Sequence, residues 1–263
     1  MRLRALPTDF SPQLALMANR RAPALHPNGA GAELFHAAQA AIAAGRDALP
    51  PRSEGLRRVI DAFALGENIP TQTRPADLVT ALRQLRQAVF TVAGYETQCS
   101  SLWREAVATG WIAAAIARHR RASPGTAGVA GLLHRAGEAL ALAAVARSES
   151  AAALLIDPGI RTQLCDDHGP ELTQALARAW RLAAPVGAAL QGWRRVGEGS
   201  GISADAKVVY FAHALATQSL FTDFRAPGLE SAMAEGLELT SRSFATLQLS
   251  LEPIREAAAR LKV

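Results

Sequence analysis

Six histidines, two cysteines and 23 acidic residues are the groups this chain has for binding a metal or moving a proton. The stretch GVAGLLHRAGEALAL, at 128–142, sets His134 directly before Arg135. An imidazole offers a lone pair to a metal or a proton, whereas a guanidinium has donors only and keeps its charge. A ligand beside a permanent cation is a poor start for metal chemistry. His134 lies among apolar residues, so its favoured reading is a buried histidine bonded to a carbonyl. His213 follows Phe211 and Ala212 on a second apolar face and reads the same way. Asp166 and Asp167, ahead of His168, read as acids placed to suit a helix dipole.

Other chemistries find little support. Ser, His and Asp occur without a nucleophile motif, and neither a phosphate-loop lysine nor a dinucleotide-binding glycine fingerprint is present. Gly128, Gly131 and Gly137 read as points of close helix approach. Cys99 and Cys165 have no metal-binding or redox spacing and read as reduced core thiols. Arg83 and Arg86, in RQLR, share one helical face and resemble a cyclic-dinucleotide spacing only superficially.

The elements that must position these groups are helical. Hydrophobic residues make up 49% of the 263 residues and aromatics 5%, so the apolar mass is Ala and Leu. Leu78, Leu82, Leu85, Val89 and Val92 step at helical period between Pro75 and Gly94. Val129, Leu132, Ala136 and Leu140 repeat the pattern, as do Val208, Phe211, Ala212 and Leu215. The run from 128 to 142 reads as one helix. Breakers fall at 49–55, 66–75, 121–128, 156–159, 168–170, 196–203 and 225–228. Pro253 predicts a helix start or kink near it. A composition shift near 94–100 divides a helical N-terminal lobe, 1–97, from a helical domain, 98–263.

Net charge is +5 and the pI about 10.0. Lys occurs only at 207 and 262, so 26 of the 28 basic residues are Arg. The Arg doublets are scattered, and RHRR at 118–121 ends a helix, where cations suit the dipole. Nucleic-acid binding is therefore not expected. No window of eighteen residues is free of charge, and no apolar segment follows MRLRALPTDF. The chain reads as cytoplasmic, with no membrane span.

From about residue 98 the order of motifs resembles the HDOD family, relatives of the HD-domain metal phosphohydrolases. SLWREAVATGWIAAAIAR (101–118) resembles the helix that usually reads Leu-Trp-x-His. AGLLHRAGEALAL (130–142) resembles the His-Asp helix. DDHGPELTQALARAWRLAAPVGAALQGWRR (166–195) resembles the helix pair that follows, and DAKVVYFAHALATQ (205–218) the helix usually reading Val-x-x-Ala-Asp-x-Leu. The resemblance implies an all-α, HD-like bundle with a helical N-terminal lobe. In catalytic relatives a His, the His-Asp doublet and a final Asp hold a divalent metal that activates water. Carried over residue by residue, those positions are Glu105, His134, Arg135 and His213, so only His134 keeps its type. Gly192, Trp193, Arg194 and Arg195 occupy a stretch that is sometimes His-rich.

Arg135 carries the most weight, because a guanidinium cannot ligate. At an effective dielectric of about 20, it opposes a divalent ion ~5 Å away by roughly 6–7 kcal/mol. A Glu105–Arg135 ion pair in the metal's place is the expectation. The resemblance then implies a non-catalytic regulatory module without metal or other cofactor, acting on a protein partner, with cyclic-nucleotide signalling as a candidate context. The alternative is a divergent metal-dependent phosphohydrolase using Glu105, His134 and His213.

Overall fold

The structure is a computed structural model, and it describes residues 30–46, 48–52, 56, 59, 75–120, 122–196, 201–221, 233, 236–237 and 239–260. In chain order the helices are α1 (Ala30–Gly45), α2 (Pro75–Val89), α3 (Glu96–His119), α4 (Pro124–Leu133) and α5 (Ala136–Ala152). There follow α6 (Pro158–Ala179), α7 (Ala184–Gly192), a 3-10 turn (Trp193–Arg195), α8 (Ala204–Phe221) and α9 (Ser241–Arg260). No strand occurs among the described residues. The fold is all-α.

Local chemistry sets several of the starts. Pro75, Pro124 and Pro158 each open a helix, where the missing N–H is no loss. Ser123 caps α4 by accepting the Thr126 N–H, and Asp157 caps α6 by accepting those of Gly159 and Ile160. The chain between α2 and α3 turns at Gly94, whose φ of +80° suits a residue with no Cβ.

Helix α3 is the centre of the bundle. Its Ala106 and Ala114 face the main core with Leu85, Val89, Leu132, Leu176 and Trp180. Its Ile112 and Ile116 face a second cluster with Val208, Phe211 and Leu215 of α8 and Leu247 and Leu251 of α9. A third cluster sets Leu34, Ala38 and Ile42 of α1 against Ala141, Ala144 and Val145 of α5. Burying a Leu or Ile side chain contributes about 1.5–3 kcal/mol, so this stripe alone anchors α1. The period 208–211–212–215 holds with all four residues buried; in the earlier run Leu85 and Val89 are buried and Leu82 partly so, but α2 ends at Val89 and the buried Val92 lies in the turn after it.

Two glycines let the helices touch. A Cβ on Gly131 would lie 2.9 Å from the Thr109 carbonyl oxygen of α3, and one on Gly137 would lie 1.8 Å from the Gly169 carbonyl oxygen of α6. The reading of these two as contact points is thereby met.

Three local expectations are corrected. The 128–142 run is not one helix: α4 stops at Leu133, and α5 restarts after Arg135, at φ −113° and ψ 13°. HGP at 168–170 does not break α6, which carries Pro170 in its interior. Close seating of Gly169 on Glu138, where a Cβ would come within 2.8 Å of Cγ, outweighs one lost backbone bond. Helix α9 does not begin near position 253 but at Ser241, about three turns earlier, where Leu247 and Leu251 are buried. The breakers at 66–74 and 225–228 lie outside the described residues.

One stretch, Pro124–Ala152, passes a length and composition test for a membrane span, but 78% of its most apolar window is buried inside the fold. That burial is what a core helix pair shows.

Candidate functional site

The break between α4 and α5 is what builds the site. Arg135 departs from helical geometry, at φ −113° and ψ 13°, where α4 gives way to α5. Here His134 and Arg135 both reach Glu105, which α3 presents from its buried face. Arg135 Nη1 donates to both Glu105 oxygens, at 2.9 and 2.8 Å. His134 Nε2 lies 3.6 Å from Glu105 Oε1. His213 on α8 brings its Nδ1 to 3.0 Å from the same oxygen. All four residues singled out from the sequence meet at this point.

The hydrogen bonds fix a tautomer. His134 Nδ1 lies 2.6 Å from the Gly131 carbonyl oxygen, which can only accept, so Nδ1 carries the proton. The ring is neutral, because burial drives its pKa down to about 4. Its Nε2 is then an acceptor, 3.2 Å from His213 Nδ1. His213 Nδ1 accordingly donates, toward His134 and Glu105. Trp193, from the 3-10 turn, packs edge-on against both imidazoles, with centroids 4.9 and 5.0 Å away.

Sequence reasoning missed half of the charge network. Glu138 is buried and accepts from Arg135 Nε at 2.8 Å and from Arg135 Nη2. Its other oxygen accepts from Arg194 Nη2, and the Arg194 guanidinium lies 5.1 Å over the Trp193 ring. A signal existed for Glu138: it stands three residues after Arg135, the spacing of an intrahelical pair. For Arg194 the signal was its place in the 192–195 stretch, which is sometimes His-rich in the resembling family, but its pairing with Glu138 was not legible from that. The charges alternate along Glu105, Arg135, Glu138 and Arg194. Arg135 gives α5 no side-chain cap, and the Gly137 N–H donates instead to Thr173 Oγ1 at 2.9 Å.

Burial pushes the Glu105 carboxyl up, but the Arg135 guanidinium and the bond from His213 prevail and hold it well below the usual range. Burial works against Arg135 too, and Glu138 and Glu105 together raise its pKa above the ordinary guanidinium value. Asp166 of α6 moves the other way: half-buried near Glu138, its carboxyl is raised by desolvation and then by that charge.

These shifts give stability a pH dependence. His134 titrates lower in the folded chain, about 4, than at its ordinary 6.5. Its contribution is complete above 6.5 and is lost as pH falls toward 4, amounting to about 3 kcal/mol. Glu105, also depressed, loses its contribution below 4.5. The melting temperature should therefore fall as pH drops from 7 to 4, and His134→Gln should flatten the upper part of that fall. A flat wild-type profile would contradict the buried neutral ring.

Whether a divalent ion suits this donor set turns on Arg135. Glu105, His134 and His213 each offer one ligand atom, all within 4.8 Å of one another. The Glu105 carboxylate, however, has both oxygens held by a guanidinium. As arranged, these residues do not fit a metal.

The HDOD domain model matches residues 76–192 of the chain. Glu105, His134, Arg135 and Glu138 fall inside the match; Trp193, Arg194 and His213 lie beyond it. Two solved structures from Shewanella amazonensis SB2B share the fold at a TM-score of 0.52. One, whose description proposes a phosphohydrolase, is 16% identical and covers 86% of this chain and 98% of its own. The other, described as a proposed metal-dependent phosphohydrolase, is 15% identical and covers 94% and 91%. An HDOD domain protein of unknown function from Geobacter sulfurreducens aligns at 18% identity, over 100% of this chain and 94% of its own, with a TM-score of 0.47. No curated protein matches the sequence.

Proposed function

We propose that this protein is a non-catalytic HDOD module, free of metal, that regulates a protein partner in the cytoplasm. The observation that carries the reading is the Arg135 guanidinium seated on both oxygens of Glu105. It supplies in fixed form the positive charge a metal would bring, and it leaves no open coordination position for a water. Glu105, His134, Arg135 and His213 then form a vestigial site that ties α3, the α4–α5 junction and α8 together. Cyclic-nucleotide signalling is the context the family resemblance suggests for it.

A second reading has its own support. The three donor atoms of Glu105, His134 and His213 within 4.8 Å would suit a divergent metal-dependent phosphohydrolase if Arg135 swung out to solvent. Elemental analysis and turnover separate the two. Purified protein should hold no stoichiometric Mn, Fe, Zn or Mg, and should not hydrolyse bis(4-nitrophenyl) phosphate with any of them added. Turnover that His134→Ala abolishes would reject the regulatory reading and establish the phosphohydrolase.

A further inference from the structure

The site is sorted by charge with depth. The side chains of Glu105 and Glu138 are 6% and 4% exposed and that of His134 is fully buried, whereas those of Arg135, Arg194 and His213 are 25%, 32% and 24% exposed. Solvent therefore meets two guanidiniums and an imidazole, with the acids sequestered beneath them. The three groups are close together. Arg135 and Arg194 hold the two oxygens of one carboxylate, Glu138, while Arg194 and His213 both rest against the Trp193 ring.

One of the three also has capacity left. Among the described residues, Arg194 uses Nη2 on Glu138, which leaves Nε and Nη1 of a five-donor guanidinium. His213 turns its Nδ1–H inward to His134 and Glu105, so its Nε2 is an acceptor and adds no donor for an anion. Trp193 fixes Arg194 in place, so a ligand would find it already oriented.

We infer that the rim formed by the Arg194 and Arg135 guanidiniums is a binding site for an oxyanion, held without metal. A planar guanidinium with paired N–H groups suits phosphoryl or carboxylate oxygens, and such charge-assisted bonds are the strong ones. The ligand sits beside Glu138 and leaves the buried ladder beneath it intact. Asp166 sets the limit on affinity: it lies half-buried near both Arg194 and Glu138 and competes for the same guanidinium. The inference rests on the metal-free reading above, because a divalent ion among these residues would itself take the anion.

The test is a titration of the isotope-labelled full chain, freed of metal by a chelator, with inorganic phosphate at constant ionic strength. A parallel titration uses acetate. Saturable shifts of the backbone amides at 134–138 and 193–195 are expected. Arg194→Gln should weaken binding about tenfold, the loss of one charge-assisted contact, and Asp166→Asn should strengthen it. A response to phosphate alone assigns a phosphoryl ligand, and one to acetate alone assigns a carboxylate. No saturable response to either, or a response unchanged in Arg194→Gln, overturns the inference. Elemental analysis of the same sample keeps the two readings apart. Metal found in the untreated protein defeats the metal-free reading, whereas a silent titration of metal-free protein defeats the oxyanion site alone.

Discussion

Glu105→Ala should lower the melting temperature by roughly 6–12 °C. Removing one partner of a buried ion pair leaves the other uncompensated, at a typical cost of about 3–5 kcal/mol. The lower end applies here, because Arg135 keeps Glu138 and is one-quarter exposed. His213 loses its acceptor as well. For a chain of this size each kcal/mol moves the midpoint by about 2–4 °C. Glu171→Ala is the control: its ion pair with Arg46 joins side chains 60% and 46% exposed, and surface pairs contribute about 0–1 kcal/mol. Thermal scans in which the two variants match would mean that the Glu105–Arg135 pair adds nothing, and the charge-replacement argument would go with it. Glu105→Gln keeps the shape and removes the charge, so a loss as large as that of alanine assigns the effect to electrostatics.

Arg135→Asp should unfold at a lower temperature than Glu105→Ala and regain stability with added Mn²⁺ or Zn²⁺. The change moves the local charge by two units. It leaves carboxylates at 105, 135 and 138 facing Arg194 alone, with His134 Nε2 and His213 Nδ1 beside them. Such a cluster repels itself until a cation enters it, and the donor types are those a divalent ion takes. Binding to the folded chain only, at a hundred times Kd, returns about 2.7 kcal/mol. The wild-type melting temperature should not respond to the same metals, and a chelator should reverse the rescue. A variant indifferent to divalent ions would show that these residues never converge as a ligand set. Turnover is not expected from the single change, since positions 105 and 213 keep Glu and His. The triple variant Glu105→His, Arg135→Asp and His213→Asp is the one suited to regaining a fuller metal site.

Much of the fold was legible because helical period is a local property. The apolar steps 85–89 and 208–211–212–215 point inward, and Pro75, Pro124 and Pro158 stand at helix starts for reasons within one turn of chain. What failed also failed locally. HGP reads as a breaker because Pro170 removes a backbone bond, yet α6 runs through it, since Gly169 lets α5 seat directly on that turn. The break at 134–135 was invisible for the converse reason. Nothing in LLHRAG forbids a continuous helix; the interruption comes with two separate contacts, Gly131 on α3 and Gly137 on α6.

The sequence by itself determined the donors at the site. Arg135 cannot ligate, His134 can, and no fold alters either fact. Only the tertiary structure decided what Arg135 does with its charge. Glu105 comes from thirty residues away and Arg194 from beyond a further helix pair, so their meeting depends on how α3, α5 and α7 cross. Depth was decided there as well. Which of the charged groups lie buried and which reach solvent is a matter of neighbours, and neighbours are set by packing between elements rather than by order along the chain.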